Sequence, residues 1–122
     1  MYFLEPSRLL YSSLSDQKTV VLSTEKETIF LHAVNVCNMS DDNIRISLQM
    51  TSIINTPIEE SYLVKDVLLQ PNESHNLMSL GNLEVFLKNG DSLICFSNGY
   101  SQVFDCVVCY SISNEEICTK AQ

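Results

Sequence analysis

Tryptophan is missing from this sequence, and glycine occurs only three times. Without tryptophan there is no broad aromatic platform of the kind sugar sites favour. Tyr2, Tyr11, Tyr62, Tyr100 and Tyr110 are partial substitutes. Three glycines are too few for a glycine-rich loop cradling a phosphate. Positive charge is scarce as well. Arg8, Lys18, Lys26, Arg45, Lys65, Lys88 and Lys120 are spread without a cluster against fifteen acidic residues, giving a net charge of −8. Binding to a phosphate backbone needs clustered Lys and Arg, so nucleic acid is excluded as a partner, and an anionic membrane surface is disfavoured for the same reason. No apolar run approaches the roughly 20 residues of a transmembrane helix. The opening Met1-Tyr2-Phe3-Leu4-Glu5-Pro6 lacks the basic start and long apolar stretch of a secretory signal. The sequons Asn38-Met39-Ser40 and Asn72-Glu73-Ser74 therefore read as turn sequences.

What is present is enough for one core. The 122 residues predict a single domain over 1–122 with a polar tail from 114, and 45% hydrophobic residues can fill two packed layers. Charged residues make up 18%, below the roughly 25% of an ordinary soluble domain, which suits a chain that hides surface against a partner. Five cysteines, an odd number without a secretory signal, predict reduced thiols packed as small apolar residues.

Hydrophobic periodicity is two throughout, the spacing of strands. Over 43–51, Ile44, Ile46, Leu48 and Met50 alternate with Asn43, Arg45, Ser47 and Gln49, which gives one dry and one wet face. Over 28–37, Ile29, Leu31, Ala33 and Cys37 share one face, with Phe30, Val34 and Val36 on the other. Over 102–112, Phe104, Cys106, Val108, Tyr110 and Ile112 form one row and Val103, Val107 and Cys109 the opposite one. Two strands apolar on both faces, with no helix to cover them, predict an oligomer. Phe30, His32, Val34, Val36, Val103, Val107 and Cys109 are the candidate interface. Further strands are expected at 8–14, 19–22, 62–69, 75–79, 83–87 and 92–97, with a loop around Pro57 over 53–60. Turn chemistry separates them, including Asn89-Gly90 and Asn98-Gly99, whose residues tolerate positive φ. The fold class is all-β: an antiparallel sandwich of eight to nine short strands, in jelly-roll or related Greek-key topology.

Candidate chemistry is thin. Gly90-Asp91-Ser92-Leu93 spells the nucleophile motif of the GDSL esterases, but the histidines, His32 and His75, both precede Ser92. No base comes from the expected downstream position, and the α/β pattern of such enzymes is missing. Cys106-Val107-Val108-Cys109 has the spacing of half a zinc site, yet residues three apart in a strand face opposite ways. Asp41-Asp42-Asn43 and Asp91 match no calcium loop. The reading is therefore no enzyme, no metal and no cofactor.

Several of these stretches recur together. A strand ends in Val36-Cys37-Asn38 and a polar turn, and an alternating strand follows. After these come Pro71-Asn72-Glu73, Leu80-Gly81 and then Asn89-Gly90-Asp91-Ser92-Leu93 before a closing strand. This order, over roughly 19–112, resembles small β-sandwich structural proteins of tailed bacteriophages and prophages. The resemblance implies a virion component (decoration, neck or tail-associated), made in the host cytoplasm and packed beside copies of itself and other virion proteins. It implies no catalytic residue. The alternative is a binding module for carbohydrate or a host-surface ligand, with its site on loops 39–43, 53–60 and 98–102.

Overall fold

The alternating segments become nine strands in a computed structural model that describes residues 8–52, 59–81, 84–98 and 103–113. In chain order they are β1 (Arg8–Leu14), β2 (Thr19–Ser23), β3 (Thr28–Asn38), β4 (Ile44–Ser52), β5 (Glu59–Leu69), β6 (Ser74–Asn76), β7 (Val85–Leu87), β8 (Ser92–Ser97) and β9 (Phe104–Ser113). All pairings between them are antiparallel.

Two sheets result. The first runs β1-β9-β3-β6, with β7 also on β3, and the second runs β2-β8-β4-β5. Early strands pair with late ones around β4 and β5: β1 with β9, β2 with β8, β3 with β6 and β7, and β4 with β5. Successive pairs fall in alternate sheets, which is the strand order of a jelly roll. The dry faces meet in one core that includes Val34, Val36, Ile46, Leu48, Leu93, Phe104 and Val108.

A bulge in β3 corrects the expected faces. Its register against β9 shifts between Leu31 and Ala33, so His32 is the extra residue. A bulge sets two residues against one and reverses the alternation beyond it. Ile29 and Leu31 point inward before the bulge, and Val34 and Val36 point inward after it, at 0% and 1% exposure. Val34 and Val36 therefore belong to the core and not to an outer face. Ala33 and Cys37, expected on the same face as Ile29 and Leu31, are half-buried on the other.

Other differences have local causes. The strand expected at 75–79 stops at Asn76 and gives way to a 3-10 turn over Leu77–Gly81. Leu77 and Met78 are both buried, which a period-two strand cannot achieve with adjacent residues. The Asn76 Oδ1 accepts from Met78 N at 3.1 Å and fixes the turn. β5 begins at Glu59, inside the expected loop, and 53–58 lie outside the described residues. Asn89 and Gly90 have positive φ, 47° and 90°, as a tight turn there demands. This turn carries the chain from β7 in the first sheet to β8 in the second, so it is not a hairpin.

Candidate interaction surface

The outward face of the first sheet is built from rows of paired residues. Ser111, Phe30 and Phe86 form one row across β9, β3 and β7. Leu9, Cys109 and Ala33 form the next across β1, β9 and β3. Tyr11, Val107 and Asn35 follow, and then Ser13, Asp105 and Cys37. Apolar side chains thus occupy one half of the face. Leu9 is 74% exposed, Tyr11 63% and Phe86 45%.

Ring contacts and hydrogen bonds hold this half in place. Phe30 packs edge-on against Phe86 at 4.7 Å and against His32 at 4.9 Å. His32 Nε2 and Ser111 Oγ lie 2.5 Å apart, so the bulge residue is anchored to the neighbouring strand. Tyr11 donates its hydroxyl to Asp105 Oδ1 at 2.8 Å. That hydrogen bond, then slight desolvation and the carboxylate's charge, raises the Tyr11 phenol above its ordinary value. The five strands of the first sheet contribute one carboxylate, Asp105, out of fifteen acidic residues in the chain.

Of the expected interface residues, Phe30, His32, Val107 and Cys109 lie on this face together. Val34 and Val36 are behind it in the core. Val103 is exposed, but it stands before the start of β9, where its carbonyl accepts from Met39 N at 3.1 Å. It lies eight positions before Ser111, about 26 Å at the rise of a strand. Leu9, Tyr11 and Phe86 escaped the sequence reading. Leu9 and Tyr11 alternate along 8–14, but only the pairing of β1 with β9 reveals which cluster they join.

The other candidate chemistry does not assemble. Ser92 begins β8 in the second sheet, paired with Ser23 and Thr51, whereas His32 and His75 sit in the first sheet. Cys106 is buried in the core and Cys109 faces outward, so the two sulfurs cannot share a metal ion. Among the described residues no three His, Cys, Asp or Glu side chains converge. A hydrogen bond with Cys106, and then burial, push the Cys95 thiol well above its ordinary value, which keeps it protonated and inert. Cys118 lies outside the described residues.

Of the loops proposed for ligand binding, 39–43 lies wholly within the described residues. Loop 39–43 joins the residues before β9 through the bond from Met39 N to Val103 O. From there β4 carries the chain to Ser52, paired with Glu59, about 27 Å away along the strand. Ser52 and Glu59, which flank 53–58, thus stand at the opposite end of β4 from loop 39–43, and 53–58 lie outside the described residues. Residues 99–102 lie outside the described residues. An open hollow of about 400 Å³ sits elsewhere, lined by Ser23, Thr24, Glu25, Lys26 and Glu27.

The turn residues that carry the resemblance are held by hydrogen bonds of the fold itself. Asn38, fully buried, donates Nδ2 to Asp42 O at 2.7 Å and to Leu69 O at 3.1 Å. Its Oδ1 accepts from Ser40 N and Ser40 Oγ at 2.9 and 2.7 Å. Glu73 Oε1 accepts from Gln70 N at 3.0 Å, and Asp91 Oδ2 from Lys88 N at 3.0 Å. These residues close turns, so their order speaks first for the fold. Compared with family models, with curated proteins and with solved structures, the chain matches none.

Proposed function

We propose that this chain is a non-enzymatic structural subunit of a phage virion or phage-derived assembly, packing through the outward face of its first sheet. The observation that carries the reading is the charge distribution on that face. Five strands of a chain with net charge −8 offer one carboxylate, already bonded to Tyr11, beside exposed Leu9, Tyr11 and Phe86. Burial of such a surface is favourable by about 25 cal/mol per Å² of apolar area. Like-charged subunits approach one another at least cost where their carboxylates are fewest. The jelly roll itself serves capsid proteins, lectins and cupins alike, so the fold supports a building block without selecting it. The virion setting rests on the resemblance in turn order.

Phe86→Glu combined with Val107→Ser tests the face. Both positions are on the outside of the sheet, so the domain should stay folded, with a thermal midpoint within a few degrees of the parent. The assembled mass should fall in light scattering after size exclusion. An unchanged mass from a folded double variant would remove this face from the assembly.

A further inference from the structure

Strands at the ends of a sheet leave a row of backbone N–H and C=O groups unpaired, and proteins usually blunt such edges. Three of the edges here are blunted. β2 has five residues and a register shift between Val20 and Leu22. β5 has two register shifts against β4, carries Lys65 and Asp66, and holds Asp66 at a positive φ of 54°. β6 and β7 are three residues each, separated by the 3-10 turn.

β1 has none of these devices. Its seven residues, Arg-Leu-Leu-Tyr-Ser-Ser-Leu, pair with β9 from Arg8 to Leu14 without a shift. It has no proline, lysine or carboxylate, and its one charge is at the end. Leu9 and Tyr11 are exposed on the outward side and Leu10 on the inward side, so both flanks of the edge are apolar.

We infer that β1 pairs with β1 of a second copy, antiparallel across a two-fold axis, so that two first sheets become one continuous sheet. This rests on the assembly reading above and adds a two-fold contact to it, since pairing at the edge joins the two outward faces side by side and leaves them open to further packing. Centring the axis on Tyr11 pairs all seven residues: Leu9 with the partner's Ser13, Leu10 with the partner's Ser12, and Tyr11 with the partner's Tyr11. A one-residue slip would set outward side chains beside inward ones, so parity restricts the register. Charge fits a second copy as well. The two Arg8 residues come to opposite ends of the pairing, about 20 Å apart by strand rise and beyond a Debye length of about 8 Å. The outward apolar rows of the two copies then run on from one another through Leu9 and Tyr11.

Tyr11→Cys tests the register. Directly opposite residues in an antiparallel pair have Cα atoms about 4.5–5.5 Å apart, within disulfide range. With oxidised glutathione, the two introduced thiols lose two protons and two electrons, and glutathione leaves as two reduced molecules. The expected product is a covalent dimer whose peptide map joins two copies of position 11. In the unsubstituted protein, amide exchange across β1 should slow as concentration rises. An assembled species that lacks the position-11 link and any slowing would overturn the edge pairing while leaving assembly through the face intact. A single-chain mass at every concentration would overturn the edge pairing and self-assembly together.

Discussion

Val36→Asp is expected to unfold the protein, and Asn35→Asp, one residue earlier, to leave it folded. Val36 is 1% exposed and faces the opposite sheet, while Asn35 points outward. An unpaired carboxylate in an apolar core is among the largest single-residue penalties known. Its cost, above about 4 kcal/mol, approaches the 5–15 kcal/mol stability of a typical domain. At an exposed strand position the same acid costs within about 0.5 kcal/mol. The pair also tests the bulge at His32. Uninterrupted alternation from Ile29 and Leu31 would put Asn35 inside and Val36 outside, and the two outcomes would exchange. Urea titrations followed by circular dichroism separate the cases. A cooperative transition for Val36→Asp near that of the parent would contradict the placement of β3.

Asn38→Ala should cost about 3–4 kcal/mol. Its side chain makes four hydrogen bonds from a fully buried position, tying the end of β3 to the 39–43 turn and to the end of β5. Truncation leaves the buried Leu69 carbonyl without this donor, and each unsatisfied buried group costs about 1–3 kcal/mol. Asn38→Asp keeps the shape but replaces the donating amide with an oxygen facing two carbonyls, so its loss at pH 7 should be at least as large. With a urea slope of about 2 kcal/mol/M, the midpoint falls by about 1.5–2 M at unchanged slope. A fall under about 0.5 M for both variants would show that the network contributes little.

These two positions mark what was legible in the sequence and what was not. Strand periodicity is local, so β1 and β8 have the expected bounds and β4 is displaced by one residue. A bulge is not local. Nothing in Leu31-His32-Ala33-Val34 announces that β9 will accept two residues against one, and so half of the expected interface on β3 turned out to be core. Asn38 read as a turn residue, which it is, but its burial depends on Leu69 and Ser40 arriving beside it. The surface patch was half legible. Val107 and Cys109 follow from the alternation of β9, whereas Leu9 and Phe86 join them through pairings between distant segments. The Cys-x-x-Cys pair was fully legible, because three residues along a regular strand always reverse the face.

The measurement closest to the central claim is the solution mass of the unsubstituted protein. It should be taken by light scattering after size exclusion, over a range of concentrations and with and without reductant. The account predicts a discrete oligomer with an even number of chains that persists in reductant and dissociates on dilution. A species of single-chain mass throughout would contradict self-assembly. An oligomer that vanishes on reduction would replace the apolar face with cysteine cross-links as the source of association.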